Sequence, residues 1–204
     1  MQLKKLYFIL VLISSILLQN CSSDNEPKSI EGLVEEVPVY DSNEYDSVAI
    51  QGKVKLLLPA YFSLIELNEE PLLIKANHIS REEHFKLIET SKKKFVSYSS
   101  EIEEKYTSDS MFLLFASQEL SKLRSILKSE SSFEITRKSI VNDMNSVSYE
   151  IEGSSFGFPI EQIFFIRFYE GKNNFYSLIS WTVKSSKSEF EDVAKIMQLT
   201  LKEI

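Results

Sequence analysis

Cysteine, histidine and glycine are scarce in this sequence, and their scarcity limits the chemistry that the chain can perform. The one cysteine, Cys21, has no partner for an internal disulfide bond. His78 and His84 do not have the i, i+4 spacing of a helical metal-binding pair, and no third ligand accompanies them. The signatures GxxxxGK[ST], HExxH and GxSxG do not occur. We therefore expect no catalytic residues, no metal and no cofactor.

Basic residues are outnumbered by acidic ones. The chain has 23 Lys and Arg against 30 Asp and Glu, so its formal net charge is −7, or −9 without Lys4 and Lys5. A protein that binds nucleic acid needs clustered Lys and Arg to neutralise the phosphates. The composition therefore argues against a nucleic-acid partner.

The sequence contains one long apolar run, Leu6–Leu18, which only two serines interrupt. It is shorter than the about 20 residues that a transmembrane helix needs. Two lysines precede it, as in the first part of a secretory signal peptide. We therefore predict a signal peptide over residues 1–20, and nothing after this run requires a bilayer.

The end of this run, Leu18-Gln19-Asn20-Cys21, resembles the lipobox of bacterial lipoproteins, with Asn20 where a small residue is usual. The resemblance implies that the cysteine is acylated and becomes the first residue after cleavage. Several acyl chains, each contributing about 0.8 kcal/mol per buried methylene, anchor a protein stably. The alternative is an unmodified thiol, which is a liability in an oxidising compartment. We expect Cys21 to anchor the protein in the bacterial envelope, in the outer membrane, facing the periplasm or the surface.

Residues 21–47 have the composition of a tether. Acidic side chains dominate from residue 22 to residue 48, where Lys28 is the only base. Such a segment cannot bury enough apolar surface to fold alone. As a flexible coil it would span about 30 Å. At most, a short edge strand is expected near Val37–Tyr40, and the folded domain is expected over residues 48–204.

The domain begins with patterns of strands and then of helices. The segment "KVKLLLPAYF" predicts a strand that ends at Pro59, and "PLLIKAN" and "EHFKLIET" predict two strands around a polar turn. Ser80 and Glu83 also match a capping box, so a helix starting there is the alternative. Helices are predicted over 91–106 and, from apolar residues at i, i+3 and i+4, over 110–128.

From residue 133 onwards the apolar period changes to two. Residues 133–138 and 147–152 alternate as a hairpin with one solvent-exposed face. The strands over 160–170 and 175–183 are apolar on both faces, so both faces must be covered. A final helix begins with a Ser188/Glu191 capping box and has an apolar stripe. The predicted class is α+β, an antiparallel sheet with helices on its faces.

The phrases "KVKLLLPAYFSLIELNEEPLLIKAN", "HFKLIETSKKKF" and "FYSLISWTVKSSKSEFEDVAKIMQLTLKEI" resemble a PsbP-like domain over most of residues 48–204. The family has an antiparallel sheet between helices and ends with a strand bearing a Trp-Thr pair and a helix. The resemblance implies a binding or accessory module. Photosynthetic members attach to membrane complexes and some contact metal ions, but no residue here matches a metal-binding motif of theirs.

Four further residues are candidates for a functional role. Phe156 and Phe158 lie among glycines and a proline in "EGSSFGFPIEQ", and we expect them either to contact a partner or to fold over the sheet edge. Arg167 lies in an apolar strand, either as an ion-paired side chain or as a substrate clamp. Trp181 is expected between the sheet and the last helix, and a stacking platform for a ligand is the alternative.

Two functions are compatible with these patterns. The first is a lipid-anchored envelope protein without enzymatic activity, which binds an envelope protein or a small ligand. The alternative is an envelope hydrolase whose active site has no recognisable motif. Polar side chains that converge in a deep pocket would favour the enzyme, and a shallow apolar patch would favour the binding protein.

Overall fold

A computed structural model describes residues 33–65, 71–97, 108–127, 135–154 and 160–204. All of them belong to one compact unit, which begins at Gly32. Within the described ranges, no helix is long and apolar enough to cross a membrane.

Within the described ranges, strands dominate and three α-helices accompany them. The strands are β1 (Leu33–Val34), β2 (Tyr45–Ile50), β3 (Val54–Pro59), β4 (Ser63–Ile65), β5 (Leu72–His78), β6 (Glu83–Ser91), β7 (Ile135–Val141), β8 (Met144–Gly153), β9 (Gln162–Glu170), β10 (Asn174–Val183) and β11 (Lys202–Glu203). The helices are α1 (Lys92–Ser97), α2 (Ser108–Ile126) and α3 (Lys187–Thr200). Short 3-10 helices cover Ser42–Glu44, Ile79–Arg81 and Lys184–Ser186.

These strands form two sheets. The large sheet has eight strands in the order β1-β7-β8-β9-β10-β6-β5-β4, and the small sheet has the order β11-β3-β2. The β1 strand is parallel to β7. The other neighbouring pairs are antiparallel. The prediction of an antiparallel α+β fold is therefore confirmed.

The large sheet is covered on both faces, as its doubly apolar strands require. All nine residues of β9 are buried. Phe164, Ile166 and Phe168 of this strand belong to a core with α2, whereas Ile163 and Phe165 belong to a second core with α3 and β3. Because side chains alternate along a strand, one strand supplies both cores.

The turn between β7 and β8 shows why the hairpin forms where the sequence predicts it. Asn142 and Asp143 both have positive φ, at 47° and 67°. A two-residue hairpin turn of this hand matches the twist of the strands, and Asn and Asp tolerate its backbone angles better than most residues. The turn places β7 and β8 in register as far as Val141 and Met144.

Several details differ from the sequence-based predictions. The face of the β7–β8 hairpin that was expected to be exposed is partly buried: Ser146 and Ser148 are buried, and Glu150 and Glu152 are half-buried. The β5–β6 turn contains a 3-10 helix and not the start of an α-helix. The α3 helix begins after Ser186, whose side chain makes no capping hydrogen bond, so the Ser188/Glu191 capping box is wrong.

The segment assigned to the tether also differs. Residues 37–40 form no strand, and the elements described between residues 33 and 47 are β1, a 3-10 helix and the first residues of β2. The segment from 33 to 47 therefore takes part in the folded unit. For the helix predicted over 91–106, the structure describes only Lys92–Ser97, and the remaining positions lie outside the described residues.

Candidate functional site

Three of the residues predicted to be functional, Cys21, Phe156 and Phe158, lie outside the part that the structure describes. Cys21 precedes the first described residue, and Phe156 and Phe158 fall between 154 and 160. Their roles therefore stay predictions.

Trp181 lies on the opposite face of the sheet from the one predicted. It is a partly buried member of the core that includes α2, whereas Phe190 and Met197 of α3 belong to the other core. Its ring stacks on His84 at 5.0 Å and on Phe164 at 6.2 Å. Both neighbours therefore occupy the faces that a ligand would use, which makes Trp181 a structural residue in an aromatic row across three strands.

The surroundings of His84 are positively charged. Burial lowers the pKa of His84, and the charge of Lys75 lowers it further. Burial and Lys75 also lower the pKa of Lys86, whose Nζ lies 5.9 Å from the Trp181 ring centre. The neutral imidazole is therefore the form that this stack favours.

A polar cleft lies at the end of the large sheet where the β7–β8 and β9–β10 turns meet β11. Its volume is about 530 Å³, which is in the size range of small-ligand sites. The lining residues are Lys92, Asn142, Asp143, Met144, Asn145, Glu170, Gly171, Lys172 and Glu203. We refer to this site as the turn cleft.

Hydrogen bonds and one ion pair hold two carboxylates of the turn cleft, those of Glu170 and Glu203. Lys92 Nζ lies 2.8 Å from Glu170 Oε1, and Asn145 Nδ2 donates to Glu170 Oε2 at 3.0 Å. Glu203 accepts from the backbone N–H of Lys172 and from the hydroxyl of Tyr176, both at 2.9 Å. These contacts hold the carboxylates of Glu170 and Glu203 in place, so this part of the cleft is a preorganised polar surface.

Gly171 is required by the close approach of β11. A Cβ atom at this position would lie 2.1 Å from Glu203 Oε1 and 2.8 Å from Tyr176 Cε2. Any side chain would therefore displace Glu203 from the wall of the turn cleft. This contact could not be predicted from the sequence, because it joins residues that are far apart in the chain.

A second group of polar side chains lies near the β5–β6 turn. Tyr61 Oη, His78 Nδ1 and Glu83 Oε2 are buried and reach no hydrogen-bond partner within the described residues. Burial raises the pKa of Glu83, and burial together with the charge of Glu83 raises that of Tyr61.

The same group contains a Ser-His contact, which is part of the arrangement that a serine hydrolase needs. The third member of a catalytic triad is missing among the described residues. Ser80 Oγ lies 3.5 Å from His78 Nε2 on an exposed turn. A catalytic histidine needs its other nitrogen held by a third group, but His78 Nδ1 makes no such bond among the described residues. In the same residues, no three His, Cys, Asp or Glu side chains lie together as a metal site requires.

Arg167 forms an ion pair within the sheet. This was one of the two alternatives from the sequence, and a substrate clamp was the other. Its guanidinium makes a bidentate contact with Glu35, with Nη1–Oε1 at 2.9 Å and Nη2–Oε2 at 3.1 Å. The exposed fractions of the two side chains are 3% and 9%. Glu35 comes from the segment that was assigned to the tether, so this pair joins that segment to the central strand β9.

Solved structures resemble this fold. The solution structure of cyanobacterial PsbP (CyanoP) from Synechocystis sp. PCC 6803 matches with a TM-score of 0.50 and 7% identity, over 84% of this chain and 99% of that chain. The Ran-binding protein Mog1p of Saccharomyces cerevisiae gives 0.49 and 7%, over 78% and 94%. LpqN of Mycobacterium tuberculosis, involved in cell envelope biogenesis, gives 0.43 and 10%, over 83% and 90%.

No protein-family model and no curated protein matches the sequence. At 7% identity, the likeness to CyanoP concerns the fold alone. The chain therefore has a PsbP-like α+β fold, as the sequence predicted, and the fold by itself assigns no ligand.

Proposed function

We propose that this protein is a lipid-anchored module of the bacterial envelope, which binds a partner protein or a small polar ligand at the turn cleft and catalyses no reaction. The anchor is Cys21, and the folded unit that follows is the binding module. The observation that carries the proposal is that Glu170 and Glu203 of the turn cleft are held by an ion pair and by hydrogen bonds.

This pairing favours binding over catalysis for a physical reason. A general acid or base must be able to exchange a proton with a substrate, and a nucleophile needs a base beside it. In the turn cleft, Glu170 is neutralised by Lys92, and Glu203 is held by two hydrogen bonds. Fixed side chains of this kind present a preformed surface, which lowers the entropy cost of binding.

The anchor is tested by changing the cysteine. In Cys21→Ala, we expect the protein to leave the membrane fraction and to incorporate no labelled fatty acid, because the chain has no other cysteine. Cys21→Ser serves as a matched variant of nearly unchanged size. Continued membrane partitioning together with continued labelling would refute the anchor.

Binding at the turn cleft is tested by photocrosslinking in cells. A benzophenone amino acid at Asp143 or Lys172, both of which line the cleft, is expected to give a discrete adduct. The same amino acid at Asp192, an exposed residue of α3 that lies outside the cleft, is the control. Identical adducts at all three positions, or no adduct at either cleft position, would refute the cleft as the binding site.

A further inference from the structure

Residues 33–44, which we call the strap, lie beside the edge of the large sheet. Within the described residues, β1 pairs with Ser139 and Ile140 of β7. After Glu35 the backbone has no regular structure until residue 42. Val37 and Tyr40 are exposed, and Val39 is fully exposed at 104%. The bidentate contact between Glu35 and Arg167 is therefore the principal described side-chain contact that holds the strap on the sheet.

Under the strap lies a slot that is built around one buried cation. Arg167 Nη1 donates to Ser139 Oγ at 3.0 Å and to Ser146 Oγ at 3.4 Å, and Nε donates to Gln198 Oε1 at 3.4 Å. All three of these partners are neutral. We call these four residues the arginine slot, and Glu35 supplies the negative charge that it contains.

A planar guanidinium that is 3% exposed requires a planar anion of matching geometry. Because Arg167 lies in the middle of β9, it cannot extend into water while the slot is covered. The carboxylate, by contrast, belongs to a segment at the sheet edge that has no regular structure from residue 35 to residue 41, so it can leave together with that segment. The slot is thus a fixed carboxylate receptor, and the strap is its removable occupant.

We propose that the arginine slot is a binding site for an extended acidic segment of a partner protein, which adds to β7 in place of the strap and inserts a Glu or Asp carboxylate where Glu35 lies. This site is distinct from the turn cleft and does not depend on the function proposed for it. The strap then acts as a built-in competitor that keeps the slot closed in the absence of the partner.

The edge of β7 favours this exchange. The strand runs from Ile135 to Val141, but within the described ranges the strap pairs with two of its residues. An incoming strand can pair with this edge and place one side chain over Arg167, because alternate residues of a strand face the same side. The partner segment is therefore acidic and extended, with apolar residues beside its carboxylate, as in the strap sequence "LVEE".

The test uses a fluorescent synthetic peptide with the sequence of residues 29–40, "SIEGLVEEVPVY", and the full-length protein in detergent. In Glu35→Gln the built-in carboxylate is lost, so we expect the peptide to bind at least about tenfold more tightly than to the wild type, a difference of about 1.4 kcal/mol. A peptide with Gln at the position of Glu35 is expected to lose this affinity. Glu36→Gln, at the exposed neighbouring position, is the matched control and should behave like the wild type.

Two results would overturn the proposal. One is equal binding of the Glu and Gln peptides to Glu35→Gln, because the slot would then not recognise a carboxylate. The other is no binding to a Glu35→Gln protein whose Trp181 emission shows that it is folded. If this variant does not fold, a fluorophore on Val39→Cys in the otherwise unchanged chain reports release of the strap. The Glu peptide should then shift its emission and the Gln peptide should not, and equal responses would refute the proposal.

Discussion

Removing the carboxylate of Glu35 should be among the more costly single changes in this fold. In Glu35→Gln the Arg167 guanidinium keeps its charge but loses its only anionic partner among the described contacts of the slot. Breaking a buried ion pair from one side costs about 3–5 kcal/mol, because the remaining charge stays buried without compensation. For a domain of this size, that corresponds to a fall in Tm of about 6–20 °C.

Removing the charges of both Glu35 and Arg167 should lower the free energy of unfolding much less than removing that of Glu35 alone. In Glu35→Gln/Arg167→Met no charge remains in the slot, and Ser139 and Ser146 keep the hydrogen bond between their hydroxyls at 2.9 Å. Gln198 loses one long hydrogen bond, so we expect a cost of about 1–2 kcal/mol relative to the wild type. The double variant is therefore predicted to be more stable than Glu35→Gln alone.

The assay is urea denaturation of the full-length protein in detergent, followed by the emission of its single tryptophan. Glu191→Gln is the control, since Glu191 pairs with Lys195 at 2.7 Å on the exposed side of α3 and should contribute about 0.3–0.5 kcal/mol. The reasoning is refuted if Glu35→Gln lowers the free energy of unfolding by no more than Glu191→Gln does, because the Glu35–Arg167 pair would then behave like a surface ion pair.

Two further predictions concern His84 and Gly171. Because burial and Lys75 lower the pKa of folded His84, the unfolded chain binds its proton first, so stability should fall as the pH drops below about 6.5, and His84→Gln should flatten this dependence. Urea midpoints at several pH values measure it, and the same slope in both proteins would contradict it. Gly171→Ala should destabilise the fold by about 1–3 kcal/mol, because the new methyl overlaps Glu203. Part of this loss should be recovered in Gly171→Ala/Glu203→Ala, and an equal loss with and without Glu203 would exclude that contact as the cause.

The regular elements were predictable because local periodicity reports which side chains must be buried. In α2, the buried residues Phe112, Ala116 and Leu120 follow the spacing of one helix face. The strands around the β7–β8 turn follow from alternation and from residues that tolerate positive φ. Parity also placed Ile179 and Trp181 correctly on one face of β10, since that relation depends only on the pleat of the strand.

The candidate sites were not predictable, because each joins residues that only the tertiary structure brings together. Glu35 and Arg167 are 132 positions apart, and nothing in an acidic, proline-containing segment indicates that one of its carboxylates is buried. The turn cleft likewise depends on the meeting of two hairpin turns with β11, the end of the chain.

The sequence by itself determined the α+β class and the apolar period of most strands and helices that the structure describes. The tertiary structure decided which layer covers which face of the large sheet, and hence that Trp181 meets His84 and not α3. The physical reason is that periodicity specifies that a face is buried, whereas the identity of its neighbour depends on how distant segments pack together. The same reason explains why the ion-pair partner of Arg167, Glu35, lies in a segment whose composition had predicted a tether.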